Sequence, residues 1–403
     1  MAKTLSKKHR QILCDQSVTG TAPGPILHDF TALLQYVQKN EILLSKTGLF
    51  PMKALYPVNE AMHCPLAIGL ARPQLRCLPN IEGLYMVLRA TEMVRVEHKG
   101  KKRSLRPDEE AITNWETLNE VEQYVHLLRA WLLQADTGLV GRNHSSSGRP
   151  LLLDHFQFVN IVPRLRKCAS GDLLSHLQYR PGHHNVALAE LFGLVAIAHE
   201  PARNGQGWAI SRIKSTPFGG ALCALLKKMM PELAEFFFLT EEEAAFAHWQ
   251  QCMMPLFPQL KRDLVLPEQE PPNGTYTVTA SLGDVWRRLA VPCTCYLAEL
   301  ASAVLHAFEF DQDHLYEFRV EGRFGGNGRI SHPEVDEPPY ADETSMGDLG
   351  LQAGQEFLFR YDFGDEWHFG ILVDRLDPVD PELEQPREVS RHGDAPPQYN
   401  DDW

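Results

Sequence analysis

The sequence predicts an α+β protein in three parts: two mainly helical modules at residues 1–145 and 150–265, and an α+β domain at 274–403. Three observations carry this expectation. Residues 266–274 hold three prolines and an Asn-Gly turn signal, and residues 138–150 cluster Gly, Ser and Asn, so both stretches read as breaks. A helix–strand–loop–strand–helix order occurs twice before the first of those linkers ends the helical region. Charge then changes sign along the chain: +5 over residues 1–150, +1 over 151–265 and −19 over 266–403, which contain no lysine.

Composition narrows the classes. The 403 residues are 44% apolar and 23% charged, as in ordinary globular proteins, which excludes general disorder. No apolar run reaches the roughly 18–20 residues of a membrane span: Glu190 breaks 188–198, and Asp154 and His155 break 151–162. Residues 1–10 are basic and polar with no signal-peptide core, so a cytoplasmic, membrane-free protein is expected. Eight scattered cysteines, at 14, 64, 77, 168, 223, 252, 293 and 295, do not frame a disulfide scaffold. Cys293 and Cys295 stand one residue too close for a zinc knuckle, and no cofactor or metal is expected.

In the first module, residues 81–93 have helical spacing, 94–98 alternate as a strand, 99–103 form a basic turn and 104–106 return as a second strand. Residues 118–133 read as one long amphipathic helix. Upstream, 43–50 end in a turn and 51–62 read as a short helix. In the second module, 187–192 are helical, 194–198 and 208–213 are strands around a loop at 201–207, and 216–220 open a helix with Pro217 in its first turn. This order resembles the closing half of a winged helix-turn-helix. The resemblance implies double-stranded DNA contact: Lys99, Lys101, Lys102 and Arg103 would be the wing, with Arg95 and Arg106 on its flanking strands. Lys46, Lys53 and Asn59 would lie on or near the reading helix. The structural alternative is a solvated hairpin tip, and the less basic second module suits a protein contact better.

From Tyr276 the pattern changes. Residues 276–280 alternate, 285–291 lead into a helix at 296–307, and 308–320 form a turn and strand. Residues 322–328 are Gly-rich, and 354–364 and 367–374 read as two strands around a Gly-Asp-Glu turn. The last stretch, 377–403, is acidic and Pro-rich and reads as irregular. Four motifs here are specific: Trp286 followed by two arginines; His306 with His314 leading Tyr316; the run Tyr361, Asp362, Phe363, Gly364, Asp365, Glu366, Trp367; and the close from Gly393 to Tyr399. Together they resemble the plasmid pRiA4b ORF-3-like family. The resemblance implies a fold and a frequent association with mobile elements, and it brings no established reaction. Many members have a His two residues after the tryptophan; here Phe369 stands there and His368 comes one earlier, which moves the imidazole to the other face of a strand.

Asp362, Asp365 and His368, with Asp311, Asp313, His314 and Glu366 nearby, could hold a divalent metal for phosphodiester chemistry. The structural alternative has Asp362 and Asp365 bonding the turn at Gly364 while Tyr361 and Trp367 pack in the core. There is no nucleophile elbow, no H-E-x-x-H and no P-loop, since residues 325–328 lack the Gly-Lys-Ser/Thr that a phosphate loop needs. A "resolvase" label borne by some relatives finds no support, because Ser6 and Ser17 lack an arginine setting. The expectation is a non-enzymatic interaction protein, regulatory or linked to mobile elements, with DNA as partner of the N-terminal module and a protein as partner of the acidic domain. The alternative is a metal-dependent enzyme acting on nucleic acid through the acidic domain.

Overall fold

The computed structural model describes residues 5–99, 102–140, 162, 177, 181–200, 208–238, 242–268, 271–321, 327–335 and 338–399. The expected wing residue Lys101, the loop at 201–207, Cys168 and most of the expected break at 138–150 lie outside them. Two compact units emerge. One takes Met1–Val96, Ser104–Asn143 and Pro150–Pro267, and the other takes Glu97–Arg103, His144–Arg149 and Glu268–Trp403. Among the described residues, no helix is long and apolar enough to cross a membrane.

In the first unit, the helix Ile26–Lys39 buries Phe30, Leu33, Leu34 and Val37 on one face. The strand β1 (Ile42–Leu43), the helix Met52–Glu60 and the helix Pro79–Ala90 follow. Then come β2 (Val94–Lys99) and β3 (Lys102–Pro107), close to the expected bounds. The sheet runs β1-β3-β2, with Ile42 opposite Leu105. The long helix expected at 118–133 is corrected. Its start is Glu120, because Asn119 and Glu122 close a capping box there, and its end widens into a π-turn at Ala130–Gln134. A separate helix, Glu109–Glu116, precedes it.

The second run repeats this plan in the same unit. The helix His183–Leu191 leads to β4 (Val195–His199) and β5 (Ile210–Ser215), and the helix Pro217–Phe238 follows. The likeness extends to backbone detail. Glu92 and Gly193 both take positive φ, 59° and 71°, just before their hairpins. After each hairpin a capping residue returns: Asp108 N–H donates to Met93 C=O at 2.9 Å, and Thr216 N–H to Leu194 C=O at 3.0 Å. Each then accepts from its own helix, Asp108 from Ala111 N–H and Thr216 from Gly219 N–H.

The two runs share one core of buried side chains, from Leu13 to Leu264. Their equivalent helices, Pro79–Ala90 and His183–Leu191, pack on each other, and all twelve residues of the first are buried. Gly83 sits at the closest approach, where an added Cβ would stand 2.7 Å from Leu188 Cγ and 2.9 Å from His184 C=O. Around this seam Trp131 stacks on Phe192 at 5.0 Å and donates Nε1–H to Asn185, while Tyr124 donates to the Phe192 carbonyl. Glu122 accepts Lys261 N–H and Arg262 N–H, which fastens the segment leading to Leu264. Beside it Asp263 pairs with Arg129 and lies 3.0 Å from His126 Nδ1. Burial alone would raise the Asp263 carboxyl, but the His126 bond and the Arg129 charge outweigh it and hold the group at about 2.

The second unit is a seven-stranded antiparallel sheet: β6 (Thr275–Leu282), β7 (Val285–Pro292), β8 (Tyr316–Glu321), β9 (Asn327–Ser331), β10 (Glu356–Tyr361), β11 (Trp367–Asp377) and β12 (Arg387–His392), in the order β12-β7-β6-β11-β10-β8-β9. The helix Leu297–Ala307 covers one face, closing a core with Tyr276, Val278, Phe318, Phe359, Phe369 and Ile371. The irregular reading of 377–403 is corrected at Arg387–His392, which pairs with β7 as an edge strand. Its charged, half-exposed pattern hides the strand locally, and only the neighbour's free edge supplies the hydrogen bonds.

Two outcomes test this packing. Gly83→Ala is expected to lower unfolding stability by about 1–3 kcal/mol in urea denaturation, because neither Leu188 Cγ nor the His184 carbonyl can retreat freely; an unchanged midpoint would contradict the close approach. Asp263 has a folded value below its ordinary 3.8, so its contribution is complete above about pH 4 and disappears as pH falls towards 2. That contribution is about 2 kcal/mol. Asp263→Asn should flatten the stability profile between those pH values, measured by denaturation at each pH.

Candidate functional site

The turn between β10 and β11 organises the motif-bearing end of the second unit. Tyr361, fully buried, donates its hydroxyl to the Asp311 carbonyl at 2.6 Å and accepts Asp313 N–H and His314 N–H at 3.2 and 3.3 Å. Burial raises its phenol above the ordinary value, so it stays protonated and acts as a clamp on the 311–314 loop. Asp362, at φ 56°, accepts Gly364 N–H at 2.8 Å, and its other oxygen is 3.6 Å from His314 Nε2. Trp367 sits opposite Tyr361 in register, edge-on to Phe310 at 4.9 Å. These residues form a folded turn with one histidine between two carboxylates, Asp313 and Asp362.

The remaining motif residues lie elsewhere. Trp286 stacks on His392 of β12, with the Arg288 guanidinium over its ring at 5.2 Å. His306 is exposed in the last turn of its helix. Asp365 is exposed on the turn, so only Asp362 of the two expected aspartates bonds Gly364. His368 is exposed while Phe369 is buried against Phe308 and Phe310, as the one-residue shift requires. The candidate ligands Asp362, Asp365 and His368 are therefore not brought together. Among the described residues, no group of three or more His, Cys, Asp or Glu is arranged to hold a metal. Cys293 and Cys295 are buried in the core, and burial pushes both thiols up.

In the second unit, two buried charges, Arg287 and Glu317, were missed by sequence reasoning. Arg287, 1% exposed, donates to the carbonyls of Ala307, Trp286, His392 and Gly393 and lies over the Phe308 ring at 4.7 Å. It ties the helix C-terminus, where carbonyls are negative, to the edge strand. Glu317, 2% exposed, is met by Arg319 at 2.7 Å, Arg329 at 2.6 Å and Arg360 at 3.4 Å. The signal for Glu317 was present: in β8, Tyr316, Phe318 and Val320 alternate inward, which sends Glu317 and Arg319 outward together.

In the N-terminal part, Lys46 and Lys53 are exposed, but Asn59 is buried and bonds the backbone of Leu66 through both its oxygen and its nitrogen. Asn59 is thus a clamp and not a reading residue. Arg95 pairs with Asp108, and Lys99 lies 3.5 Å from Glu97. Lys102 and Arg106 are exposed, and Arg103 pairs with Glu321, which belongs to the same unit.

A sheet with the helix Leu297–Ala307 on one face and paired charges on the other defines a small α+β domain. Residues 277–400 match the family described as plasmid pRiA4b ORF-3-like protein. The chain is 33% identical over 115 residues to the "Uncharacterized protein y4hQ" of Sinorhizobium fredii (strain NBRC 101917 / NGR234), which is 28% of this chain and 58% of that protein. The match thus spans a little over half the length of that curated relative. A crystal structure of the protein of unknown function MM3350 from Methanosarcina mazei Go1 aligns with a TM-score of 0.29 and 24% identity, covering 31% of this chain and 73% of the other.

If the turn is structural, Tyr361→Phe should cost about 1–3 kcal/mol, since it strips a buried carbonyl and two loop amides of their partner. Asp365→Asn, at an exposed position, should stay within about 0.5 kcal/mol. Urea denaturation of the two variants side by side checks the contrast, and a larger loss for Asp365→Asn would reverse it.

Proposed function

We propose that this chain is a non-enzymatic, cytoplasmic interaction protein: a pair of winged-helix-like modules closed on each other, followed by an acidic domain that binds a protein partner. Support for the winged-helix reading comes from the order helix, β1, helix, helix, β2, β3 and from the sheet order β1-β3-β2. In helix-turn-helix proteins the recognition helix lies in the major groove, its side chains on base edges. The sequence reading put this helix at 51–62; the helix that stands directly before the β2–β3 pair, where the reading helix belongs, is instead Pro79–Ala90, and every one of its residues is buried, packed on the equivalent helix of the second run. That burial is the observation that carries the reading. A helix committed to the core cannot read bases, so the choice between DNA and protein tilts to protein.

Duplex contact is then confined to phosphates, with Lys46, Lys53, Lys99, Lys101, Lys102 and Arg106 as its candidates; Arg95, Lys99 and Arg103 each have a carboxylate neighbour. The metal-dependent enzyme reading has no comparable support, given where Asp362, Asp365 and His368 stand.

Fluorescence anisotropy with duplex DNA tests the proposal. The expectation is weak binding, equal for all sequences, lost by about 0.2 M salt and reduced by Lys99→Ala with Lys102→Ala. Selection from random duplexes that yields one sequence bound roughly a thousandfold above the rest would overturn it.

A further inference from the structure

Residues 266–403 hold nine arginines against 28 acidic residues, yet three of those arginines gather on one outward-facing carboxylate of the sheet. Register explains the gathering. Arg360 lies opposite both Glu317 and His368, and Arg319 lies opposite both Arg329 and Leu358. Cross-strand partners share a face, so all four basic side chains stand on the side away from the helix Leu297–Ala307. Two arginines directly opposite each other repel, and Glu317 offsets this by taking both of their Nε atoms.

Arg360 is held in place. Its guanidinium lies over the Phe363 ring at 4.9 Å, one terminal nitrogen reaches Glu317 at 3.4 Å, and the other bonds Glu366 at 2.5 Å. Its Nε and the hydroxyl of Ser331, which stands opposite Glu317, are enclosed and find no hydrogen-bond partner among the described residues. The Arg319 side chain is 48% exposed, so its terminal nitrogens face solvent while Nε is anchored. Glu366 is different from Glu317: its side chain is 55% exposed, on a turn.

We infer that Arg319, Arg360 and His368 form a binding site for a phosphate group, and that Glu366 occupies the place at Arg360 which the phosphate takes. Two anchored guanidinium forks and an imidazole on the neighbouring strand match the several acceptor oxygens of a tetrahedral dianion. Glu317 orients the forks and neutralises enough charge for the sheet to form without ligand. An exposed ion pair is worth little, so Glu366 yields readily to a doubly charged competitor. Free phosphate and a phosphate monoester present the same group, and the site is built for that group. Close by on this face stand Glu321, paired with Arg103, and Glu356, whose carboxylate lies over Gly370; Arg288, paired with Asp374, lies further across the sheet.

The test uses the full chain, titrated calorimetrically with inorganic phosphate and with glycerol phosphate against sodium chloride of equal ionic strength. Saturable binding of either phosphate, absent with chloride, is expected. Arg319→Gln should weaken it roughly tenfold, the loss of a charge-assisted donor pair. Glu366→Gln should tighten it roughly two- to fivefold, the worth of the exposed pair it removes. Glu366 is half exposed, so Glu366→Gln should keep the wild-type melting temperature without ligand, and Arg319→Gln, whose loss leaves Glu317 to Arg329 and Arg360, should remain folded by circular dichroism. Tighter binding of glycerol phosphate than of phosphate assigns the site to a monoester, and equal or weaker binding assigns it to the free ion. Heats identical to those with chloride, affinity unmoved by Arg319→Gln, or weaker binding in Glu366→Gln would each overturn the inference.

Discussion

Gly83 has no side chain, and Leu188 stands in the space this leaves, with a gap too small even for a methyl group. That approach lets the helices Pro79–Ala90 and His183–Leu191 touch along their backbones and become the centre of the first unit. The hairpins, the capping residues Asp108 and Thr216, and the Trp131–Phe192 stack are arranged around it. Interiors are packed nearly as densely as crystals, so a seam of this kind positions its neighbours to fractions of an ångström. It also buries polar groups, among them Asn185, which answers Trp131 Nε1–H and donates to the Pro181 carbonyl. Such groups are costly unless bonded, and their bonding selects one alignment of the two helices over its neighbours.

The second unit manages buried charge in two ways. Arg287 is neutralised by carbonyl dipoles and an aromatic face, with no carboxylate partner among the described residues, and so behaves as a structural rivet between helix end and edge strand. Glu317 is neutralised by full charges, on the face away from the helix Leu297–Ala307. The first arrangement closes on itself. The second keeps the Arg319 side chain half exposed on the outer face. At the turn, Tyr361 and Asp362 are occupied with backbone, and His314 stands between two carboxylates and edge-on to the Tyr361 ring.

The same logic separates the two halves of the chain. In the first unit the helix Pro79–Ala90 keeps no exposed face, all twelve of its residues being buried. The sheet face of the second unit has made the opposite trade: Leu372 and Arg319 remain exposed at positions where a covered sheet would carry packed apolar groups.

Much of this was legible in the residues. Alternation marked 94–98, 276–280 and the β10–β11 hairpin, the helical spacing marked 81–93, and the His368–Phe369 shift told which side chain would point inward. These are local periodicities, set by backbone geometry within a few residues. The helix at Glu120 was placed wrongly by two residues because its start depends on a capping box, and the edge strand Arg387–His392 was missed because its partner is about a hundred residues away. Asn59 looked like a reading residue and proved a clamp, since only the tertiary fold brings Leu66 to its amide. The burial of Pro79–Ala90 and the gathering of arginines on Glu317 were likewise decided by packing alone. The sequence by itself determined which residues alternate and which turn; which faces stay open depends on contacts between segments far apart in the chain, and no local pattern encodes those distances.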